Sequence, residues 1–290
     1  MALQTGARHY TQGYSSNTVA TQQARTAESE AAFLLPHLRT TDYILDVGCG
    51  PGTITIGFTR YATKGRIIGI DISPDVLRKA KSVAAEAGCS MKWEQPGSVI
   101  FEEGDILKGL PYPDETFDVV YCAQVFGYLP PPDLPFRALS EMRRVLKSGG
   151  IIATRDGVDQ HFYPRSLNLD RLWVQNFNRA VHWSDGSWSP DADSTAVIMP
   201  ALFRRAGFNA DAGRVRIGVG TTLYSGRETR EWLAKRAESQ LQQEDPLRQN
   251  WLRAGITEEE IQHTLLAVRK WAETEDAWYA ALQCEILAWK

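Results

Sequence analysis

Four things are scarce in this chain, and each scarcity removes a class of protein. No apolar run approaches the roughly 20 consecutive residues that a membrane span needs, so no membrane role is expected. There is no excess of charge of one sign: 32 basic residues against 35 acidic ones give a net charge of −3. A nucleic-acid or anionic-membrane partner therefore has no electrostatic footprint. The four cysteines, Cys49, Cys89, Cys122 and Cys284, form no Cys-x-x-Cys pair. That spacing argues against a disulfide frame or a metal site and for a reducing, cytoplasmic setting. Residues 1–26 are polar with no apolar centre, so they are not read as a signal peptide. What is left is an ordinary globular composition, 43% hydrophobic over 290 residues, enough for one large domain with insertions. A small-molecule partner is expected, with the chain as monomer or homodimer.

The richest stretch is Ile44-Leu-Asp-Val-Gly-Cys-Gly-Pro-Gly-Thr53. An apolar run ends in an acid, three glycines alternate with other residues, and a helical pattern begins. This reads as strand, tight turn and helix. Before it, residues 26–38 carry apolar side chains at helical spacing and predict an amphipathic helix. Residues 1–25 read as an arm, either a flap over a ligand with Tyr14 and Arg25 as contacts or a frayed terminus.

After the turn, a helix is expected over 53–61 and a strand over 65–71. Ser73-Pro74-Asp75 then supplies a cap, a preorganised first turn and an acid for the positive helix end. Strands are expected over 99–103, 117–122 and 151–154, with a helix over 136–146. The strand at 117–122 shows almost no alternation, as strands buried on both faces do. Alternating strands and helices argue for an α/β, Rossmann-like, mostly parallel sheet with helices on both faces. Ligands in such sheets bind beyond the carboxyl ends of the strands. Asp46, Asp71, Asp105 and Cys122 all fall at such ends.

From residue 156 to 200 the alternation is expected to stop. That segment carries His161, Phe162, Tyr163, Trp173, Phe177, His182, Trp183 and Trp188, and reads as a lid insertion over a flat apolar substrate or as a core-filling excursion. A strand is expected from 207 through 219. Ser225-x-x-Glu228 and Thr257-x-x-Glu260 resemble capping boxes and open a helical insertion over 226–275. A last strand is expected over 281–289.

The glycines stand at 48, 50 and 52, where a dinucleotide fingerprint would want one at 53. Asp46 would repel a pyrophosphate; it suits an amino-acid ammonium, or supports the backbone that holds one. Asp71 is placed to accept from ribose hydroxyls, and Asp105, after Gly104, to reach an adenine amino group; either could instead be a cap or loop carboxylate.

Asp46-Val-Gly-Cys-Gly-Pro-Gly52, Gly69-Ile-Asp71-Ile-Ser73, Glu103-Gly-Asp-Ile-Leu107, Phe117-Asp-Val-Val-Tyr-Cys-Ala-Gln124 and Arg144-Val-Leu-Lys-Ser-Gly-Gly150 together resemble the motifs of class I S-adenosylmethionine-dependent methyltransferases of the UbiE-like small-molecule type. The match covers residues 40–155 and is loose beyond 156; Ser148 stands where the family often has proline. Residues 14–28 resemble the N-terminal region of such enzymes in secondary metabolism. The resemblance implies seven strands with the last antiparallel. It implies that Gly48, Cys49, Gly50 and Gly52 line the methionine portion, that Asp71 and Ile72 hold the ribose, that Asp105 and Ile106 hold the adenine, and that Cys122, Ala123 and Gln124 form the floor beneath the methyl group. Cys49 reads there as a small turn residue, not a nucleophile.

The activity implied is methyl transfer to the oxygen, nitrogen or carbon of a small hydrophobic or aromatic natural product. His161 is the leading candidate for a general base, with His182, Asp156 and Asp159 behind it. Two rivals keep the same fold: an enzyme that uses the cofactor's charge to steer a cyclisation, and a non-catalytic scaffold.

Overall fold

The computed structural model describes residues 16–182, 194–209 and 213–290. Tyr14, Trp183 and Trp188 lie outside the described residues. In chain order the elements are α1 (Ser16–Gln23), α2 (Ala27–Glu30), β1 (Tyr43–Val47), α3 (Thr53–Gly57), β2 (Arg66–Asp71), α4 (Pro74–Glu86), β3 (Ser98–Glu103), β4 (Phe117–Ala123), α5 (Asp133–Val145), β5 (Leu146–Tyr163), α6 (Asn176–His182), α7 (Thr195–Arg205), β6 (Val215–Tyr224), α8 (Arg227–Gln240), α9 (Pro246–Arg253), α10 (Glu258–Glu273) and β7 (Trp278–Trp289). They divide into two compact units. The larger comprises Gln22–Gln160, Asp193–Thr222 and Ala281–Lys290; the smaller comprises Met1–Thr21, His161–Ala192 and Leu223–Ala280.

The larger unit is built on a seven-stranded sheet in the order β3-β2-β1-β4-β5-β7-β6. β3, β2, β1, β4 and β5 pair in parallel. β7 is antiparallel to both neighbours. Its last residues face the start of β5, where the Gly149 N–H donates to the Lys290 carbonyl at 2.8 Å, and the start of β6, where the Trp289 N–H donates to the Arg214 carbonyl at 2.9 Å. Strand order reverses between β1 and β4, which opens the ligand crevice of such sheets at their carboxyl ends.

Both faces of the sheet are buried, as the unbroken apolar runs require. Leu45, Val47, Ile68, Val120 and Ile152 pack on one side with Leu139 and Met142 of α5 and Phe203 of α7. Ile44, Ile67, Val99 and Tyr121 pack on the other with Leu77 and Ala80 of α4. The expected cap of α4 is present: Ser73 Oγ accepts the Val76 N–H, and Gly88 follows the helix with φ of 69°.

Local differences from the sequence reading share one cause, tertiary packing over local pattern. The amphipathic stretch 26–38 is helical only at α2 and at a 3₁₀ turn, Leu35–His37, because Ala27, Ala31 and Leu34 reach their contacts without a continuous helix. The helix after the glycines is α3 followed by a 3₁₀ turn, Phe58–Arg60. β6 starts later than expected, at Val215, and runs to Tyr224. α8 begins after Gly226 with no side-chain cap, so Ser225 and Glu228 form no capping box; Thr257 and Glu260 do. β5 does not end at 154; it continues to Tyr163, so residues 156–163 are strand.

That continuation was hidden by charge. Arg155 is 1% exposed in the middle of β5. Its Nε donates to Glu30 Oε2 at 3.1 Å, its Nη1 pairs with Glu285 of β7, and its Nη2 donates to the Thr221 carbonyl of β6 at 3.2 Å. Burial pushes the Glu285 carboxyl up, and the Arg155 charge opposes that. The room for this group comes from Gly220, where a Cβ would meet the guanidinium at 2.0 Å.

In the smaller unit two hydrogen bonds tie α1 to α8: Asn17 Nδ2 donates to Ser239 Oγ at 2.7 Å and Arg236 Nη1 donates to Thr21 Oγ1 at 3.3 Å. Trp173 meets Trp251 with ring centres 5.6 Å apart, and the Trp271 indole N–H donates to the Tyr163 carbonyl at 3.0 Å. Helices α8, α9 and α10 stand between β6 and β7. Among the described residues no helix is long and apolar enough to cross a membrane.

Replacing Arg155 by Met leaves Glu30 buried and Glu285 half-buried without their cation. Removing one member of a buried ion network costs about 3–5 kcal/mol. Denaturant titration of Arg155→Met is expected to show a loss of that size.

Candidate functional site

The turn after β1 is shaped by what presses on it. Gly48 has φ of 73°, and a Cβ there would lie 2.4 Å from Val125 Cγ2. Gly52 has φ of 80°, and a Cβ would fall within 2.9 Å of Phe101 and Ala80. Both positions need glycine for backbone sign and for space. The amides of Gly48 and Cys49 donate to one carbonyl, Ile70 of β2, at 2.8 and 2.9 Å, tying the turn to the next strand. At Gly50 the surroundings open: nothing lies nearer to a Cβ than Gln22 Oε1 at 3.9 Å.

Three acids stand at three strand tips. Asp46 is 3% exposed, and its Oδ2 accepts from Thr55 Oγ1 at 2.6 Å. Burial pushes its carboxyl up to about 7, with the Asp71 charge adding and the Thr55 bond opposing. Its visible partner is thus a side-chain hydroxyl of α3, the helix that follows the turn.

Asp71 spreads its carboxylate between two amides: Oδ2 accepts from Gly50 and Oδ1 from Ser73, each at 3.0 Å. Burial raises its pKa against those bonds. Each oxygen keeps a lone pair for a hydroxyl donor. Beside it the Ile72 side chain is 41% exposed, an apolar surface at the strand tip. Asp105 Oδ1 accepts the Leu107 N–H at 3.0 Å, and Oδ2 lies 3.5 Å from Lys108 Nζ. The Gly104 N–H donates to the Asp71 carbonyl at 3.0 Å, and Ile106 is buried.

Cys122 of β4 pairs in register with Val47 of β1, so the floor residues adjoin the glycine turn. Burial pushes the Cys122 and Cys49 thiols well up, so neither is a thiolate nucleophile. Gln124 takes a left-handed φ of 57°, its N–H donates to the Arg155 carbonyl, and its side-chain amide donates to Gln283 Oε1 at 2.7 Å. Arg25 is half-buried at the turn that ends α1, where its N–H donates to the Gln22 carbonyl.

His161 belongs to the smaller unit. Its Nδ1 lies 3.0 Å from Asp170 Oδ2, and the ring is 42% exposed. Asp170 also accepts the Phe162 N–H at 2.8 Å and sits 3.3 Å from Arg165. The remaining candidates of the glycine turn, the acids and the floor share the larger unit; His161 does not. Gln22, Val125 and Thr55 border the site and carried no signal in the sequence: a glutamine in a polar arm, a valine after a strand and a threonine in a helix are ordinary there. Among the described residues no group of histidine, cysteine and carboxylate side chains could hold a metal ion.

An open α/β sheet with a glycine turn at its switch point and acids at three strand tips defines a class I, Rossmann-like cofactor-binding protein. A family model described as a methyltransferase domain matches residues 39–195. A protein of Aspergillus luteorubrus named "Probable methyltransferase ltbC" is 67% identical over 97% of both chains. An uncharacterized methyltransferase of Schizosaccharomyces pombe is 30% identical over 81% of this chain and 80% of that protein. The crystal structure of YcgJ from Bacillus subtilis matches the fold with a TM-score of 0.54 at 19% identity, over 89% of this chain and 97% of that one. The chain belongs to the methyltransferase family, and its cofactor is S-adenosylmethionine. The site suits that cofactor: the turn opens at Gly50, an apolar side chain flanks it at Ile72, and carboxylates await hydroxyl, amino and cationic groups.

The raised Asp46 carboxyl sets a pH dependence. Its folded pKa exceeds the ordinary carboxylate value, so its contribution to stability is full below about pH 4 and is lost as pH rises through about 7. Asp46→Asn is expected to flatten the fall in Tm between pH 5 and 8 relative to wild type, read by thermal melts of the free protein.

Proposed function

We propose that the enzyme moves the methyl group of S-adenosylmethionine to an oxygen, nitrogen or carbon of a small, hydrophobic or aromatic natural product. The observation that carries the cofactor half of this reading is Asp71, a carboxylate oriented by the Gly50 and Ser73 amides with acceptor capacity to spare. The acceptor half rests on the aromatic content of the smaller unit. There Tyr163 stacks on Trp278 at 4.0 Å, Phe162 packs against Trp271 and Tyr279, and Trp278 is partly exposed. The near-full-length relative from Aspergillus luteorubrus is named a methyltransferase, in keeping with this chemistry.

When bound, the cofactor supplies a methyl group on a sulfonium, an electrophile open to in-line attack. The protein's part is orientation, worth roughly 7–11 kcal/mol as effective molarity. Asp71 and Ile72 take the ribose and Asp105 with Ile106 the adenine. Gly48, Cys49, Gly50 and Gly52 receive the methionine portion, with Arg25 of the arm beside it and Asp46 supporting the turn from beneath. Cys122, Ala123 and Gln124 floor the methyl position. For an acceptor that must lose a proton, His161 is the candidate base: a proton on Nδ1 directed at Asp170 leaves Nε2 as the basic nitrogen.

Asp71→Ala is expected to stay folded and to weaken S-adenosylhomocysteine binding at least about 100-fold by calorimetry, the worth of two charge-assisted bonds; wild-type affinity would remove the ribose assignment. His161→Gln is expected to lower kcat by about 10²–10⁴-fold with cofactor affinity unchanged, measured as transfer of a labelled methyl group to aromatic acceptors. An unaltered rate, or product without label, would count against this reading.

A further inference from the structure

Asp156 follows Arg155 on β5 and points to the opposite face of the sheet. It is 2% exposed, and its Oδ2 is buried with no hydrogen-bond partner. Its Oδ1 accepts the Gly127 N–H at 3.1 Å, and the amides of Phe126 and Val125 favour its ionised form. A side chain of β5 therefore holds the tight turn that follows β4, the 3₁₀ turn Phe126–Tyr128. This turn needs holding. It begins at Gln124, a non-glycine residue with φ of 57°, a conformation that persists only where the surroundings impose it. The residue next to Gln124 is Val125, whose Cγ2 fills the place where Gly48 would carry a Cβ. The contacts run from Asp156 to the Gly127 amide, along two residues to Val125, and from its methyl group to Gly48, all within the larger unit.

We propose that Asp156 is a positioning residue of the cofactor turn, pressing Val125 against Gly48 by holding the amides of residues 125–127. The proposal rests on the cofactor assignment above. It gives Asp156 no contact with reacting atoms, unlike the proton-accepting role expected of an acid behind His161.

A merely structural carboxylate would be felt in stability alone. This one also carries a pH signature. Burial pushes its carboxyl up to about 7 against the three amides. The titratable groups facing it are the Cys122 thiol of β4 and the Cys284 thiol of β7, both pushed up and so neutral near pH 7. The nearest charge in sequence, Arg155, is committed to Glu30 and Glu285. Above pH 7 the carboxylate draws the turn closed; as pH falls through that value its pull on the amides weakens, and cofactor affinity falls with it.

The test is calorimetric titration with S-adenosylhomocysteine at pH 6 and pH 8, on wild type, Asp156→Asn, Val125→Ala and the double variant. Asp156→Asn is expected to bind about tenfold more weakly at pH 8 and to change less between the two pH values than wild type. Val125→Ala is expected to be weaker as well, and the double variant no weaker than the weaker single one, because both act through one contact. Wild-type affinity and pH response in Asp156→Asn would overturn the proposal, as would losses that add in the double variant. Should Asp156→Asn fail to fold, Val125→Ala decides alone, and wild-type affinity there overturns it. Absence of heat with the wild-type protein would instead sink the cofactor assignment.

Discussion

A guanidinium buried in a sheet must be answered by carboxylates and carbonyls, and the larger unit is registered around that requirement. Arg155 is met by Glu30 from the segment before β1, by Glu285 from β7 and by the Thr221 carbonyl from β6. These partners come from three places in the chain, so satisfying one charge fixes the antiparallel edge of the sheet and the approach to its first strand together. Ion networks of this kind are poor sources of net stability, because desolvation consumes most of the attraction. Their effect is selective: a slip of β7 by one residue would strand the guanidinium and turn Glu285 to the other face. Gly220 shows how closely the fit is drawn, since a single methyl group there would occupy the space of the ion pair.

The same strand serves the site on its other face. The Arg155 carbonyl receives the Gln124 amide, and Asp156 receives the Gly127 amide. The loop at the end of β4 is thus held at both ends by consecutive residues of β5, whose side chains diverge because a strand alternates. A methyl-transfer site asks for orientation before anything else. Here orientation is delivered by backbone: two amides on the Ile70 carbonyl, two on the Asp71 carboxylate, one on Asp156.

The parallel half of the sheet was legible because its signals are local and repeated. Apolar runs ended by an acid marked β1 and β2, Ser73-Pro74-Asp75 marked the start of α4, and alternating glycines marked the turn. The antiparallel last strand was legible through the resemblance, the first five strands through the residues themselves. β5 was cut short because Arg155 and Asp156 break its apolar run, and nothing local says that Arg155 is met by carboxylates before β1 and on β7, or Asp156 by an amide of the turn after β4. Residues 26–38 misled in the opposite direction: helical spacing is satisfied as well by a short helix and a 3₁₀ turn wherever the same side chains still reach the core. The acids of the site were legible because they end strands. Val125 and Gln22 were not, because their roles come from proximity alone.

The buried acids have a further meaning when taken together. Asp46, Asp71 and Asp156 all carry carboxyls raised by burial, and Asp71 raises Asp46 further by its charge. In the free protein that is an electrostatic cost, since ionising each acid means holding charge away from water and two of them repel. A cationic ligand at the turn changes the sign of the sum for the pair that borders it. Its charge favours ionised Asp46 and Asp71, so binding draws off protons, and the stability those acids cost in the free state returns as binding free energy. A neutral or anionic nucleoside would collect no such return. Under the proposed cofactor assignment the arrangement discriminates by charge before any contact with the sulfur is considered, with Asp71 fixed by the Gly50 amide of the turn and Asp46 by the Thr55 hydroxyl of α3.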